Sequence, residues 1–136
     1  MRKATLLLAS MVLAILLASG AAWAATIKGT AGPDTLQGTS SRDVLIPFDG
    51  DDTVYAEGGN DDVRHSFGDD VIYGGAGGDT LRGGRGNDTI YGGPGRDLID
   101  CAYKVTRAGD VEDTAYATPE DTVVDCKTVY PDPTST

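Results

Sequence analysis

The sequence is short of almost everything a conventional core is built from. Its only tryptophan, Trp23, and both methionines, Met1 and Met11, lie within the first 24 residues. Beyond them, six Tyr, two Phe and small aliphatic residues are left to do the packing, a supply that argues against a large aromatic-lined substrate pocket. Positive charge is scarce as well. Eleven Lys+Arg stand against 21 Asp+Glu, for a formal charge of −10. Like charge repels, which argues against nucleic acid or an anionic membrane surface as partner and favours a cation. One histidine, His65, and two cysteines, Cys101 and Cys126, give soft metals little to bind. At 136 residues one domain is the expectation. What the chain has in quantity is glycine, at 19 residues, and aspartate. Glu57, Glu112 and Glu120 are the only acids that are not Asp.

One long apolar run exists, and it stands at the start. Arg2 and Lys3 precede Ala4 to Ala18, a stretch broken only by Thr5 and Ser10. Ala22-Trp23-Ala24 then presents small residues at the two positions a signal peptidase reads. Residues 1–24 are therefore expected to be a signal peptide cleaved after Ala24, giving a secreted, extracellular product. An uncleaved anchor is the alternative, because the run approaches the ~20 residues of a membrane helix. No cysteine lies near the cleavage point, so no lipid anchor is indicated.

From Gly29 the chain divides into eight nonapeptides without insertion: GTAGPDTLQ, GTSSRDVLI, PFDGDDTVY, AEGGNDDVR, HSFGDDVIY, GGAGGDTLR, GGRGNDTIY and GGPGRDLID. The sixth residue is always aspartate: Asp34, Asp43, Asp52, Asp61, Asp70, Asp79, Asp88 and Asp97. The eighth is always aliphatic: Leu36, Leu45, Val54, Val63, Ile72, Leu81, Ile90 and Ile99. Glycine holds the fourth position except at Ser41. A fixed period of this kind marks a repeat architecture. Each unit reads as a glycine turn followed by a short strand whose eighth residue points inward and whose seventh and ninth point outward. Alternate repeats carry Tyr55, Tyr73 and Tyr91 at the ninth position, while Arg64 and Arg82 occupy the repeats between them. This second period of eighteen predicts an all-β parallel solenoid, two nonapeptides per coil and about four coils, with tyrosines down one sheet and arginines down the other.

Such a coil has little apolar interior, one aliphatic per repeat, and it stacks aspartates above one another. Stacked carboxylates repel unless a cation intervenes. Carboxylates together with turn carbonyls make a hard all-oxygen setting, which suits calcium with its six to eight flexible ligands better than magnesium with its strict octahedron.

GGAGGDTLR, GGRGNDTIY and GGPGRDLID, residues 74 to 100, resemble the nonapeptide G-G-x-G-x-D-x-U-x of RTX, or hemolysin-type, calcium-binding proteins. The resemblance extends over residues 29 to 100. It implies a right-handed parallel β-roll with Ca²⁺ held between turns two repeats apart. The sixth-position aspartates and early-turn carbonyls would then be ligands, and Asp79 with Asp97, Asp70 with Asp88, and Asp61 with Asp79 would each share an ion. Four coils leave at most six such gaps. PFDGDD and HSFGDD lack the opening Gly-Gly, and GTSSRD lacks the fourth glycine and sets Arg42 beside Asp43. Weak or empty sites are expected near repeats two and three, and the best ones toward the C-terminal repeats. Many members of this family carry the repeats behind a catalytic or pore-forming domain, and no such domain is expected in this chain.

The expected organisation is a signal peptide over 1–24, a calcium-binding roll over 25–100, a C-terminal cap over 101–130 and a disordered tail over 131–136. Thr118 to Val124 echoes a degenerate repeat, with Asp121 and Val123 in the aspartate and aliphatic roles. In an exported protein two cysteines most simply form one disulfide, Cys101–Cys126, with intermolecular pairing as the alternative.

No enzymatic activity is expected. His65 has no nucleophile beside it, and the glycine-rich turns lack the Gly-Lys-Ser/Thr of a phosphate loop. Asp51-Asp52 and Asp61-Asp62 are accounted for by the period rather than by paired-carboxylate chemistry. Asn87-Asp-Thr89 matches a glycosylation sequon that a calcium turn explains equally well. The tyrosine column reads as cross-strand stacking, with sugar or surface binding as the alternative. The sequence thus describes a secreted calcium-binding protein in which binding and folding are coupled. Two readings of its use stay open: a structural or adhesive surface component, or a non-catalytic repeat subunit of a hydrolase or toxin whose active part is another chain. Calcium ions are the expected partner and cofactor, nucleic acid and membrane are not, and a monomer is expected.

Overall fold

The computed structural model describes residues 23–64, 66–102 and 112–134. The expected signal peptide, apart from Trp23 and Ala24, and His65 lie outside these residues. The nonapeptide period becomes two parallel sheets wound from one chain. With strands numbered in chain order, one sheet runs β1 (Thr26–Lys28), β3 (Val44–Ile46), β5 (Asp62–Val63), β8 (Thr80–Arg85), β10 (Leu98–Ala102) and β12 (Thr122–Val124). The short β6 (Ser66–Phe67) also pairs with β8. The other sheet runs β13 (Thr128–Pro131), β11 (Thr114–Ala117), β9 (Thr89–Tyr91), β7 (Val71–Tyr73), β4 (Thr53–Tyr55) and β2 (Thr35–Gln37). Among the described residues there is no helix.

Every pairing between these strands is parallel. The register advances by one coil at a time, as in Leu36↔Val54, Val54↔Ile72 and Ile72↔Ile90. Side chains alternate faces along a strand, so the eighth position of every repeat turns inward together. Leu45, Val54, Val63, Ile72, Leu81, Ile90 and Ile99 are fully buried, and Leu36 nearly so. The outward ninth positions form the expected tyrosine column. Ring centroids stand 5.0 Å apart for Tyr55–Tyr73 and 4.8 Å for Tyr73–Tyr91, with nearly parallel planes. On the opposite sheet Asp62 collects Arg82 at 2.6 Å and Arg64 at 3.4 Å. These pairs are solvent-facing and contribute little on their own.

The winding does not stop at residue 100. Thr114–Ala117 adds to β9 in the register Ala115↔Ile90 and Tyr116↔Tyr91, and Thr122–Val124 adds to β10 through Val123↔Ile99. The coil count therefore rises from the expected four to about five. Tyr116 and Tyr130 lengthen the tyrosine column at 4.4 and 5.5 Å. The segment expected as a disordered tail begins inside a strand. Pro131 pairs with Ala117, and Asp132 is buried, its Oδ2 accepting the Gly93 N–H at 2.7 Å.

Cys101, buried at the end of β10, is disulfide-bonded to Cys126 across a sequence separation of 25. A loop of that size contributes about 3.5 kcal/mol in the chain-entropy account. Reduction should lower the unfolding free energy of the calcium-loaded protein by that amount, read as a lower denaturant midpoint, without abolishing its β signal. Equal midpoints with and without reductant would show that the staple is thermodynamically idle.

Candidate metal sites

Each nonapeptide turn is pressed against the turn one coil away. At Gly77, with φ of 134°, an added Cβ would lie 1.6 Å from the Gly59 carbonyl oxygen. Only glycine accepts both that backbone conformation and that approach. The sixth-position aspartates stand where these stacked turns enter the strands, and they form two columns. One contains Asp34, Asp52, Asp70 and Asp88, and the other Asp43, Asp61, Asp79 and Asp97.

A single rule joins the members of a column. The backbone N–H of each aspartate donates to Oδ1 of the aspartate one coil later. Asp34 N–H reaches Asp52 at 2.8 Å, Asp43 reaches Asp61 at 2.7 Å and Asp79 reaches Asp97 at 2.8 Å, with the same link at Asp52, Asp61 and Asp70. The series continues past the regular repeats, since Asp88 donates to Asp113 and Asp97 to Asp121. Asp121 was legible in the sequence. Asp113 was not singled out, although Asp113-Thr-Ala-Tyr116 copies Asp88-Thr-Ile-Tyr91 with alanine at the inward position. Fifth-position side chains form a separate ladder that the sequence reading missed. Asp51 accepts the Asp69 N–H, Asn60 that of Gly78, and Asp69 that of Asn87.

Oδ1 is thus committed from Asp43 to Asp97, at Asp43 by the Ala25 N–H, and the second carboxylate oxygen is left. In Asp52, Asp61, Asp79, Asp88 and Asp97, Oδ2 is buried and has no hydrogen-bond partner. In Asp34, Asp43 and Asp70 it is taken. Asp34 receives the Thr30 N–H at 2.5 Å and the Thr30 hydroxyl at 2.9 Å, Asp43 receives the same two groups of Thr39 at 2.6 and 2.9 Å, and Asp70 receives the Ser66 hydroxyl. All eight aspartates lie where the period placed them, but they are not equivalent. Of the repeats expected to be weak, the second has a satisfied Asp43 and the third an unsatisfied Asp52.

An unpaired buried carboxylate oxygen is costly and takes either a proton or a cation. Burial pushes Asp79 and Asp88 up from 3.8 to about 7, and Asp52, Asp61 and Asp97 to about 6. The incoming backbone N–H of the preceding coil offsets part of the rise, and neighbouring carboxylates add to it. Asp70 is raised by burial too, against the pull of the Ser66 hydroxyl.

The surroundings suit a hard cation. A Cβ on Gly74 would meet Gly92 O at 2.5 Å and Asp79 Oδ2 at 2.9 Å, and one on Gly92 would meet Asp97 Oδ2 at 2.8 Å and Asp121 Oδ2 at 3.3 Å. The first-position glycines therefore leave open a space bordered by carboxylate and carbonyl oxygens and by the Leu81 and Ile99 methyl groups of the core. No three His, Cys, Asp or Glu side chains converge among the described residues. An ion here would draw most of its ligands from backbone carbonyls, a donor set that fits calcium.

Comparison with known proteins agrees with this chemistry. The family model of the RTX calcium-binding nonapeptide repeat, in four copies, matches residues 28–63, 49–72 and 66–99, more than half of the chain. Repeats of this kind bind Ca²⁺ and are structural rather than catalytic in themselves. No curated protein and no solved structure matches the chain significantly.

Proposed function

This chain belongs to the RTX calcium-binding nonapeptide-repeat family, and from that premise we propose that it is an extracellular scaffold whose calcium ligands are the unsatisfied members of its two aspartate columns and whose folding is driven by filling the sites beside them. The observation that carries this reading is the set of five buried, unpartnered Oδ2 atoms at Asp52, Asp61, Asp79, Asp88 and Asp97. The five sixth-position carboxylates with a free oxygen supply the side-chain ligands, and the carbonyls around the first-position residues supply the rest. Calcium, when bound, contributes the positive charge that lets like-charged carboxylates share a column.

Export places the chain where calcium is plentiful. RTX repeat proteins are typically secreted, and Arg2, Lys3 and the run to Ala18 lead into the Ala22-Trp23-Ala24 site. The role is structural, with no catalysis of its own. The acids that might suggest a catalytic pair have other partners: Asp51 holds the Asp69 amide, and Asp62 holds Arg82. The tyrosine rings lie face to face, so the ring faces a sugar would stack on are already occupied.

Calorimetric titration of the purified protein with calcium tests the reading. Several ions should bind, with fewer in Asp79→Ala and in Asp97→Ala. No heat of binding at millimolar calcium, or full binding by both variants, would end it.

A further inference from the structure

The geometry points to the second residue of each nonapeptide as the element that decides whether its rung takes a cation: Thr30, Thr39 and Ser66 close their rungs with a hydroxyl, and the other five rungs are left for an ion. This deepens the calcium reading above and rests on it.

Two features divide the repeats in the same way, the first across all eight and the second across every repeat but that of Ser66. The first is the fate of Oδ2, which has a partner in the rungs of Thr30, Thr39 and Ser66 and none in the other five. The second is backbone conformation. The second residue is left-handed at Phe48 (φ 77°), Glu57 (φ 76°), Gly75 (φ 88°), Gly84 (φ 120°) and Gly93 (φ 91°), and it is not left-handed at Thr30 or Thr39. Phe48 and Glu57 are informative because a side chain disfavours that region. They adopt the turn of the Gly-Gly repeats without being glycine, so two turn types exist and composition alone does not select between them.

Ser66 shows what the hydroxyl replaces. Its Oγ donates to Asp70 Oδ2 and lies 3.4 Å from the Gly83 carbonyl oxygen, the first-position carbonyl one coil later. In the Gly-Gly repeats the same two kinds of oxygen, Asp79 Oδ2 and the Gly92 carbonyl, border the space beside Gly74. The serine hydroxyl thus occupies the place between carboxylate and carbonyl that a cation would otherwise bridge. A neutral donor satisfies the carboxylate without adding a charge.

The consequence is a lopsided molecule. Along one edge Asp43 is closed, and Asp61, Asp79 and Asp97 are open in succession. Along the other, closed and open rungs alternate through Asp34, Asp52, Asp70 and Asp88. An ion shared by neighbouring carboxylates finds two open partners at Asp61–Asp79 and Asp79–Asp97, and none on the alternating edge within the regular repeats. Calcium should load chiefly on one side.

Calcium stoichiometry, measured by calorimetry on the full protein, tests this. Asp79→Asn should lose the ions on both sides of it, whereas Asp34→Asn and Asp43→Asn should bind as many as the native chain. Ser66→Gly opens the Asp70 rung and should gain ions, and Thr39→Gly should do the same on the other edge. Circular dichroism in saturating calcium confirms that each variant is folded, and the two gain-of-binding variants decide the matter if an Asn variant fails to fold. Unchanged stoichiometry in both glycine variants, or equal losses from Asp43→Asn and Asp79→Asn, would overturn the assignment while leaving calcium binding intact. A native chain that binds no calcium would overturn both.

Discussion

Chelating calcium at neutral pH should cost the purified protein most of its β-sheet circular dichroism, and returning calcium, but not the same concentration of magnesium, should restore it. The expected size follows from linkage. An ion present at a hundredfold excess over its Kd adds about 2.7 kcal/mol to stability. A few such ions rival the entire stability of an ordinary domain, about 5–15 kcal/mol. Here the alternative source is thin, because each regular repeat contributes one inward aliphatic at its eighth position, with Ala56 as the only addition from the described repeats. The disulfide between Cys101 and Cys126 restrains the end of the roll without neutralising a single carboxylate. The idea fails if the exhaustively demetallated protein melts at the same temperature as the loaded one.

The second large effect is an inversion of pH dependence. Without calcium, acid should stabilise the fold. Asp52, Asp61 and Asp97 are raised to about 6, and Asp79 and Asp88 to about 7, chiefly by burial. Between the ordinary 3.8 and those values the folded chain holds protons that the unfolded chain has released. A raised carboxylate pKa therefore gives stability that is greatest at low pH and is lost as pH climbs through about 6 to 7. Counted at only one pKa unit each, five such groups amount to about 7 kcal/mol. In saturating calcium the sign reverses over the same window, because the cation needs the ionised form and protons compete with it. Melting temperatures from pH 4.5 to 8, with chelator and with calcium, should trace two curves of opposite slope. Parallel curves would show that the buried carboxylates are not the binding groups.

Periodicity made much of this molecule readable before any coordinates. Stacked coils superimpose equivalent positions, so a residue that recurs every nine places is tied to one environment. The inward column from Leu36 to Ile99, the tyrosine column and the paired sheets all follow from that. What the period hides is local. The occupant of Oδ2 depends on one hydroxyl at Thr30, Thr39 or Ser66, and a repeat pattern that emphasises glycine passes over it. Asp113 escaped notice because the stretch between Cys101 and Thr114 breaks the count of nine and because alanine replaces the usual aliphatic at position 115. Asp132 sits in Pro131-Asp-Pro, a composition that reads as unstructured. Its burial depends on the distant Gly93 amide, which no local pattern reports.

The aspartate links also have a direction. Each backbone amide in a column leans on the carboxylate of its successor, so a newly made coil has no acceptor until the following one emerges. A chain synthesised amino end first must leave every rung waiting on the next. The queue clears only when Asp113 and Asp121 arrive, the acceptors for Asp88 and Asp97. Completion therefore follows synthesis one coil behind, and the irregular carboxyl end, which looks like an afterthought to the repeats, is what closes the last two rungs.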